Sequence, residues 1–326
     1  MLTVDDRPFF DVYDMKGRIV AGKTPNQFIG FGEVRASAAT VAAKFYFVAF
    51  GGEMCAQSLG EAEMYKQVTK NPEISNCIKL VGHSIIGKDE FYELAPYLVD
   101  AAPPRDDFMT VCVIITEFFA SAVPLYLYKF ETSGDLASIV CQGVDALALF
   151  EEFGYQHNDL HLNNILVDLA PAEKLVRYKD RVLQIKHKVL VFDWDMGFSL
   201  VADTDFCHLK EYGPDICHPF NPKVDIYLFM RGIYESTKHL PDMSKDFKLF
   251  YADFGAPFGA NQKDAFCDDH NPGTEATEGL VSEYVFGRLY VISGKDGKPL
   301  PPGEPACLKN PSELVSHDYF STLPWV

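Results

Sequence analysis

Positive charge is in short supply in this chain. Its 29 lysines and arginines stand against 46 aspartates and glutamates, for a formal net charge of −17. That balance supplies no basic footprint for nucleic-acid phosphates or anionic membranes, so neither is expected as a direct partner. The eight cysteines lack the dense spacing of a secreted disulfide scaffold, and they read as belonging to a reducing compartment, cytoplasmic or nuclear. Cys207-His208 and Cys217-His218 match no familiar zinc-module spacing and read as ordinary reduced cysteines beside histidines. A leader is lacking too: Met1 to Phe10 carries Asp5 and Asp6 without a basic-then-apolar build, so no signal peptide is expected. The one long apolar run, Phe108 to Tyr128, holds Glu117 near its middle and Pro124 after it. It predicts a buried strand, a turn and a short helix rather than a membrane span.

What is present suits a folded enzyme. Hydrophobic residues make up 48% of 326 positions and charged residues 23%, enough apolar material for a sizeable core in one large domain or two modest ones. Gln27 to Arg35 and Val41 to Ala49 read as strands around a turn at Ala36 to Thr40, and Ile78 to Ile86 and Val111 to Phe119 as two more. Ser58 to Lys70 has helical spacing, with Leu59, Met64 and Val68 on one face. From Leu125 the character changes. Asp135 to Phe153 is a strong helix with Gly154 as its C-cap, and another spans Val224 to Glu235. Leu240 to Pro305, rich in Gly, Pro, Asp and Asn, predicts irregular loops around short elements. The expectation is an α+β fold, a small β-rich part followed by a larger, mainly helical one.

The most informative segment is Tyr155 to Val167, YQHNDLHLNNILV, which follows the long helix. His157, Asp159, Leu160 and Asn164 occupy the fixed positions of H-x-D-L-x-x-x-N, and the segment resembles the catalytic loop of protein kinases. The spacing serves a chemistry in which a carboxylate accepts a hydroxyl proton while an amide a few residues on holds a metal ion. On the resemblance, Asp159 is the base, Asn164 a Mg²⁺ ligand and His157 a structural support. KVLVFDWDMGFSL, from Lys188, resembles the strand ending in the metal-binding Asp. Asp193 is preferred because it leaves Val191 in the apolar strand slot, Asp195 is the alternative, and Trp194 is a supporting residue.

Further motifs follow in the order the family has. Gly30, Gly32 and Val34 resemble the end of a glycine loop, and Ala42-Ala43-Lys44 resembles V-A-I-K. Lys44 then pairs with Glu61 on the following helix, with Glu63 as the alternative. Ile114 to Phe118 resembles the strand entering the interlobe hinge, which implies Thr116 as gatekeeper and the backbone from Glu117 through Phe118 to Phe119 at adenine. Val34, Ala42 and Leu166 would sandwich the purine. Asn221 to Met230 resembles the helix whose buried Asp, here Asp225, anchors the catalytic loop, and Pro311 to Phe320 resembles the last helix of protein kinases.

The resemblance implies a two-lobed kinase-like fold, with an N-lobe over 1–117, a hinge over 118–124 and a C-lobe over 125–326. It implies ATP with Mg²⁺ or Mn²⁺ as cofactors and a protein Ser/Thr hydroxyl as acceptor. Asn158 stands where the family has Arg, which implies activity without activation-loop phosphorylation. His161, where most have Lys, resembles haspin-like kinases. It implies a γ-phosphate donor whose charge changes near neutrality, and hence activity that falls as pH rises. No A-P-E motif lies between Asp195 and Asp225. The HNDLH and Asp-Trp combination also resembles aminoglycoside and choline kinases and kinases of large DNA viruses, implying a host-cell or virion location in the viral case. A pseudokinase scaffold is the alternative from another class. The basic stretch of Lys174, Arg177, Lys179, Arg181, Lys186 and Lys188 reads as an extended, solvated hairpin.

Overall fold

A computed structural model describes residues 9–21, 27–48, 53–94, 107–178, 181–200, 222–254 and 309–326. The fold is α+β. It divides into two compact units: Met1–Asn71, Cys77–Ala120 and Asp193–Asp195 form the first, and Pro72–Asn76, Ser121–Phe192 and Met196–Val326 the second.

The first unit is built on an antiparallel five-stranded sheet. Its strands are β1 (Tyr13–Ala21), β2 (Gln27–Val34), β3 (Thr40–Val48), β4 (Leu80–Gly87) and β5 (Thr110–Glu117), in the order β1-β2-β3-β5-β4. The helices are α1 (Phe9–Val12), α2 (Glu53–Thr69) and α3 (Lys88–Leu94). Register decides which side chains meet. Ala42 lies between Phe31 and Thr116, and Lys44 between Ile29 and Ile114. Because side chains alternate across a sheet, these residues share one face. The other face carries Phe28, Val41, Ala43, Phe45, Phe47, Val113 and Ile115, which form a core cluster with Phe9, Phe91 and Phe108. Phe28 and Phe45 stack with ring centroids 4.6 Å apart. In α2, Met64, Tyr65 and Val68 are buried, whereas Leu59, expected on the same face, is 44% exposed. Position 59 falls outside the 61-64-65-68 stripe of a 3.6-residue turn.

The second unit is organised around α4 (Ser133–Phe153). Thr132 Oγ1 accepts from the Asp135 N–H, and Gly154 closes the helix at φ 71°, the left-handed cap its sequence predicts. Three short strands, β6 (Ala122–Pro124), β8 (Ile165–Asp168) and β11 (Lys188–Val191), pair in the order β11-β8-β6. The two-residue strands β7 (Tyr155–Gln156) and β12 (Phe198–Ser199) pair with each other. Buried Gln142 in α4 ties down β11. Its Nε2 donates to His187 O at 2.9 Å, and its Oε1 accepts from Val189 N–H at 3.0 Å.

Two expectations for this unit change. Within the stretch expected to be irregular, Pro241–Phe254 is a regular helix, α6, packed on α5 (Lys223–Thr237). Pro241 opens it, where a missing N–H is harmless. Phe247, Phe250, Tyr251 and Phe254 recur at three and four and are buried. Pro311 to Phe320, expected as one helix, is a four-residue helix, α7 (Pro311–Leu314), and a separate 3₁₀ turn over Asp318–Phe320. His317 interrupts them by accepting the Tyr319 N–H on its Nδ1 at 3.0 Å. Residues 255–308 lie outside the described residues, as do Cys207, His208, Cys217 and His218. Among the described residues, no helix is long and apolar enough to cross a membrane.

The basic stretch does form a hairpin, β9 (Leu175–Tyr178) with β10 (Arg181–Gln184), but it is not simply solvated. Arg181 donates to Asp145 at 2.7 Å and to Val315 O at 2.6 Å, and its guanidinium lies 4.5 Å from the Trp325 ring centroid. Asp145 is buried, and burial pushes its carboxyl up to about 6 against the pull of Arg181. Removing one partner of a buried pair leaves an uncompensated charge. Arg181→Ala is therefore expected to cost roughly 3–5 kcal/mol, read as a lower urea midpoint at unchanged slope. A cost below about 1 kcal/mol would show that the pair contributes little.

Candidate functional site

The first unit gathers three ionised groups from distant parts of the sequence. Lys44 projects from the middle of β3, with a side chain only 15% exposed. Its Nζ donates to Glu61 Oε2 at 3.1 Å and to Asp193 Oδ1, a residue 149 positions away. Glu61 sits on α2 and is fully buried. Glu63 faces elsewhere, accepting from Gln67 at 2.8 Å. Burial works against the ammonium, but Glu61 and Asp193 more than offset it, so Lys44 holds its proton well above the ordinary lysine range. Burial raises Glu61 while Lys44 lowers it. Asp193 has φ 68°, one of three non-glycine residues in the left-handed region among the described residues. Such a conformation costs on the order of 1–3 kcal/mol and persists where the surroundings fix it. Trp194, the next residue, is completely buried.

Other site expectations in this unit divide. Ala42 and Thr116 stand opposite each other on the Lys44 face. Gly30, Gly32 and Val34 do not. All three are even-numbered positions of β2, which places them on the core face, and Val34 packs against the aromatic cluster. The two glycines lie inside a regular strand, where β1 approaches closely. A Cβ on Gly32 would come 2.5 Å from Asp14 O and 2.8 Å from Met15 Cα. Their lack of side chains is explained by strand packing. On the Lys44 face those places are taken by Ile29 and Phe31, and Phe31 stacks on Phe118 at 6.0 Å. They are found only through the β2–β3 register, because the turn between the strands sets odd-numbered β2 residues opposite even-numbered β3 ones. In the stretch whose backbone is expected at adenine, the Glu117 N–H donates to Lys79 O at 3.0 Å.

The second unit holds the remaining residues. His157 is fully buried. A carbonyl only accepts, so the 2.8 Å contact with Phe192 O assigns the imidazole proton to Nε2 and leaves Nδ1 to accept the Asp159 N–H. Asp225 at the start of α5 accepts the His157 N–H at 2.7 Å on one oxygen and the Asn158 N–H at 2.9 Å on the other. Asn158 has φ 66°, and its side chain donates to Met196 O. Asn tolerates that backbone better than most residues, which accounts for its presence here in local terms. Asp159 is directed outward, with 43% of its side chain exposed and His161 Nε2 3.6 Å from its Oδ2. Asn164 is buried and donates through Nδ2 to Asp159 O at 2.9 Å and Oδ2 at 3.2 Å, so its Oδ1 is the end available to a cation. Leu166 is half-buried in β8, opposite Leu190 and Pro124.

The Asp193 carboxylate in the first unit and the Asn164 amide oxygen in the second are each, taken singly, hard donors of the kind Mg²⁺ takes. Among the described residues, no three His, Cys, Asp or Glu side chains converge as a self-sufficient metal cage. Compared with family models and with curated proteins, the chain matches none.

Proposed function

We propose that the chain is an ATP-dependent phosphotransferase with a two-lobed, protein-kinase-like fold, moving the γ-phosphate of Mg·ATP to a protein hydroxyl. The observation that carries this reading is Lys44 held between Glu61 and Asp193. A buried ammonium fixed by two carboxylates is poised for nucleotide phosphates, and the acidic pair comes from the helix and the strand end that such chemistry uses. Asp159 and Asn164, in the second unit, supply the other half of the reaction. Asp159 accepts the proton of the acceptor hydroxyl as its oxygen bonds to the γ-phosphorus and the bond to the β–γ bridging oxygen breaks, releasing ADP. Asn164 and Asp193 are the residues that would hold Mg²⁺, which supplies neutralisation of the phosphate charge. Ile29, Phe31 and Ala42 offer an apolar surface for the purine.

The test is transfer from labelled Mg·ATP by the full chain. Acceptors are Ser/Thr peptides, an aminoglycoside and choline, with Asp193→Ala beside the wild type. Transfer is expected with peptide acceptors, along with a loss of roughly 10²-fold or more in the variant. Absence of transfer to every acceptor by the wild type would overturn the reading. The small-molecule alternative draws support from the shortness of α7, since the long terminal helix of protein kinases is missing there.

A further inference from the structure

Two buried phenols surround the Lys44 group, and the reaction just described leaves them without a task. Tyr46 follows Lys44 by two positions on β3 and shares its face of the sheet. Its ring centroid is 5.0 Å from the Lys44 Nζ, and its hydroxyl donates to Glu61 Oε2. Tyr65 lies one turn beyond Glu61 on α2 and is 3% exposed, and its hydroxyl oxygen accepts the Asp193 N–H at 2.9 Å. Neighbouring Met64 and Val68 are apolar and buried, so phenylalanine would fill the Tyr65 site as well. A hydroxyl taken into such a place loses water, and its own hydrogen bonds must offset that loss. The bond to Asp193 engages the backbone at one of the chain's left-handed residues, and the direction of the carboxylate follows from that backbone.

We infer that Tyr65 is a positioning residue for Asp193: its hydroxyl holds the left-handed peptide that aims the carboxylate at Lys44 and at Mg²⁺. This rests on the phosphotransferase reading for its purpose but not for its geometry. Tyr46 stands in the same relation to Glu61 and serves as the internal comparison, because its hydroxyl touches the carboxylate of α2 and not the Asp193 backbone.

Tyr65→Phe removes only the oxygen. Amide hydrogen exchange across residues 192–195, measured without nucleotide, is expected to quicken about tenfold or more in Tyr65→Phe. It should stay as in the wild type in Tyr46→Phe and in Asp193→Asn, which both keep the Tyr65 hydroxyl. Unchanged exchange in Tyr65→Phe, or equal quickening in all three, overturns the inference. In the transfer assay the Mg²⁺ concentration for half-maximal rate is expected to rise roughly 10–100-fold in Tyr65→Phe, with kcat largely restored at saturating Mg²⁺. A drop in kcat at unchanged Mg²⁺ dependence would mark a merely structural role and sink it. A wild type that transfers no phosphate removes the functional reading, and the exchange result then decides the positioning claim alone.

Discussion

Asp159→Asn is expected to lower kcat for phosphate transfer by roughly 10²–10⁴-fold while leaving Mg·ATP binding and the fold in place. At 1.36 kcal/mol per decade this corresponds to about 3–5 kcal/mol of barrier. The local geometry explains why the loss is confined to chemistry. Asp159 is 43% exposed, and the stronger of its two contacts with Asn164 runs to its main-chain oxygen at 2.9 Å. An amide oxygen at the side-chain end can still accept the second contact. A half-exposed substitution of equal size changes stability by no more than about 0.5 kcal/mol. What the amide lacks is a basic oxygen for the acceptor proton. Nucleotide affinity by fluorescence titration and kcat from initial rates separate the two effects. A variant within threefold of wild-type kcat would remove Asp159 from the role of base.

Some of this arrangement is legible in the sequence and some is not, for reasons that can be named. The Lys44–Glu61 pair follows from helical spacing, because of the two candidate carboxylates Glu61, and not Glu63, shares a face with Met64, Tyr65 and Val68. The preference for Asp193 follows from strand alternation after β11, and the contact of Asp193 with Lys44 agrees with that register. The failure at Gly30, Gly32 and Val34 comes from matching a motif by its letters. The turn at residues 35–37 sets the β2–β3 register, which sends even-numbered β2 residues to the core. Strand β1 is hidden by Lys16-Gly17-Arg18 and by irregularities at Met15/Gly17 and Arg18/Val20, which break the period of two. Helix α6 is readable from its four aromatic positions once it is not averaged with the Gly- and Pro-rich residues after it. The phenol contacts leave no local trace, since Tyr46 and Tyr65 meet partners 15 and 128 positions away.

Asp225→Ala is expected to destabilise the second unit by roughly 2–5 kcal/mol and to abolish transfer at working temperatures. Both carboxylate oxygens are used by main-chain N–H groups, those of His157 and Asn158, in a setting where Asp225 is 2% exposed. Each orphaned N–H costs about 1–3 kcal/mol, out of a total stability of about 5–15 kcal/mol. The same two bonds hold Asn158 in its left-handed conformation, so the loop carrying Asp159 loosens when they go. Asp225→Asn keeps one acceptor and is expected to cost about half as much. The pair of variants also gives a pH signature. Burial raises Asp225 to about 6, against the opposing hydrogen bonds from the His157 and Asn158 N–H groups, so the folded protein keeps a proton that the unfolded chain releases near pH 4. The stability this contributes is complete below about pH 4 and is lost as pH rises through 6, whereas an amide has nothing to titrate. The wild type's advantage over Asp225→Asn is therefore expected to be largest near pH 4 and to shrink toward pH 7, measured as the difference in urea midpoints. A difference that grows with pH would mean that the N–H bonds, and not burial, set the charge of Asp225 and hold the loop through its ionised form.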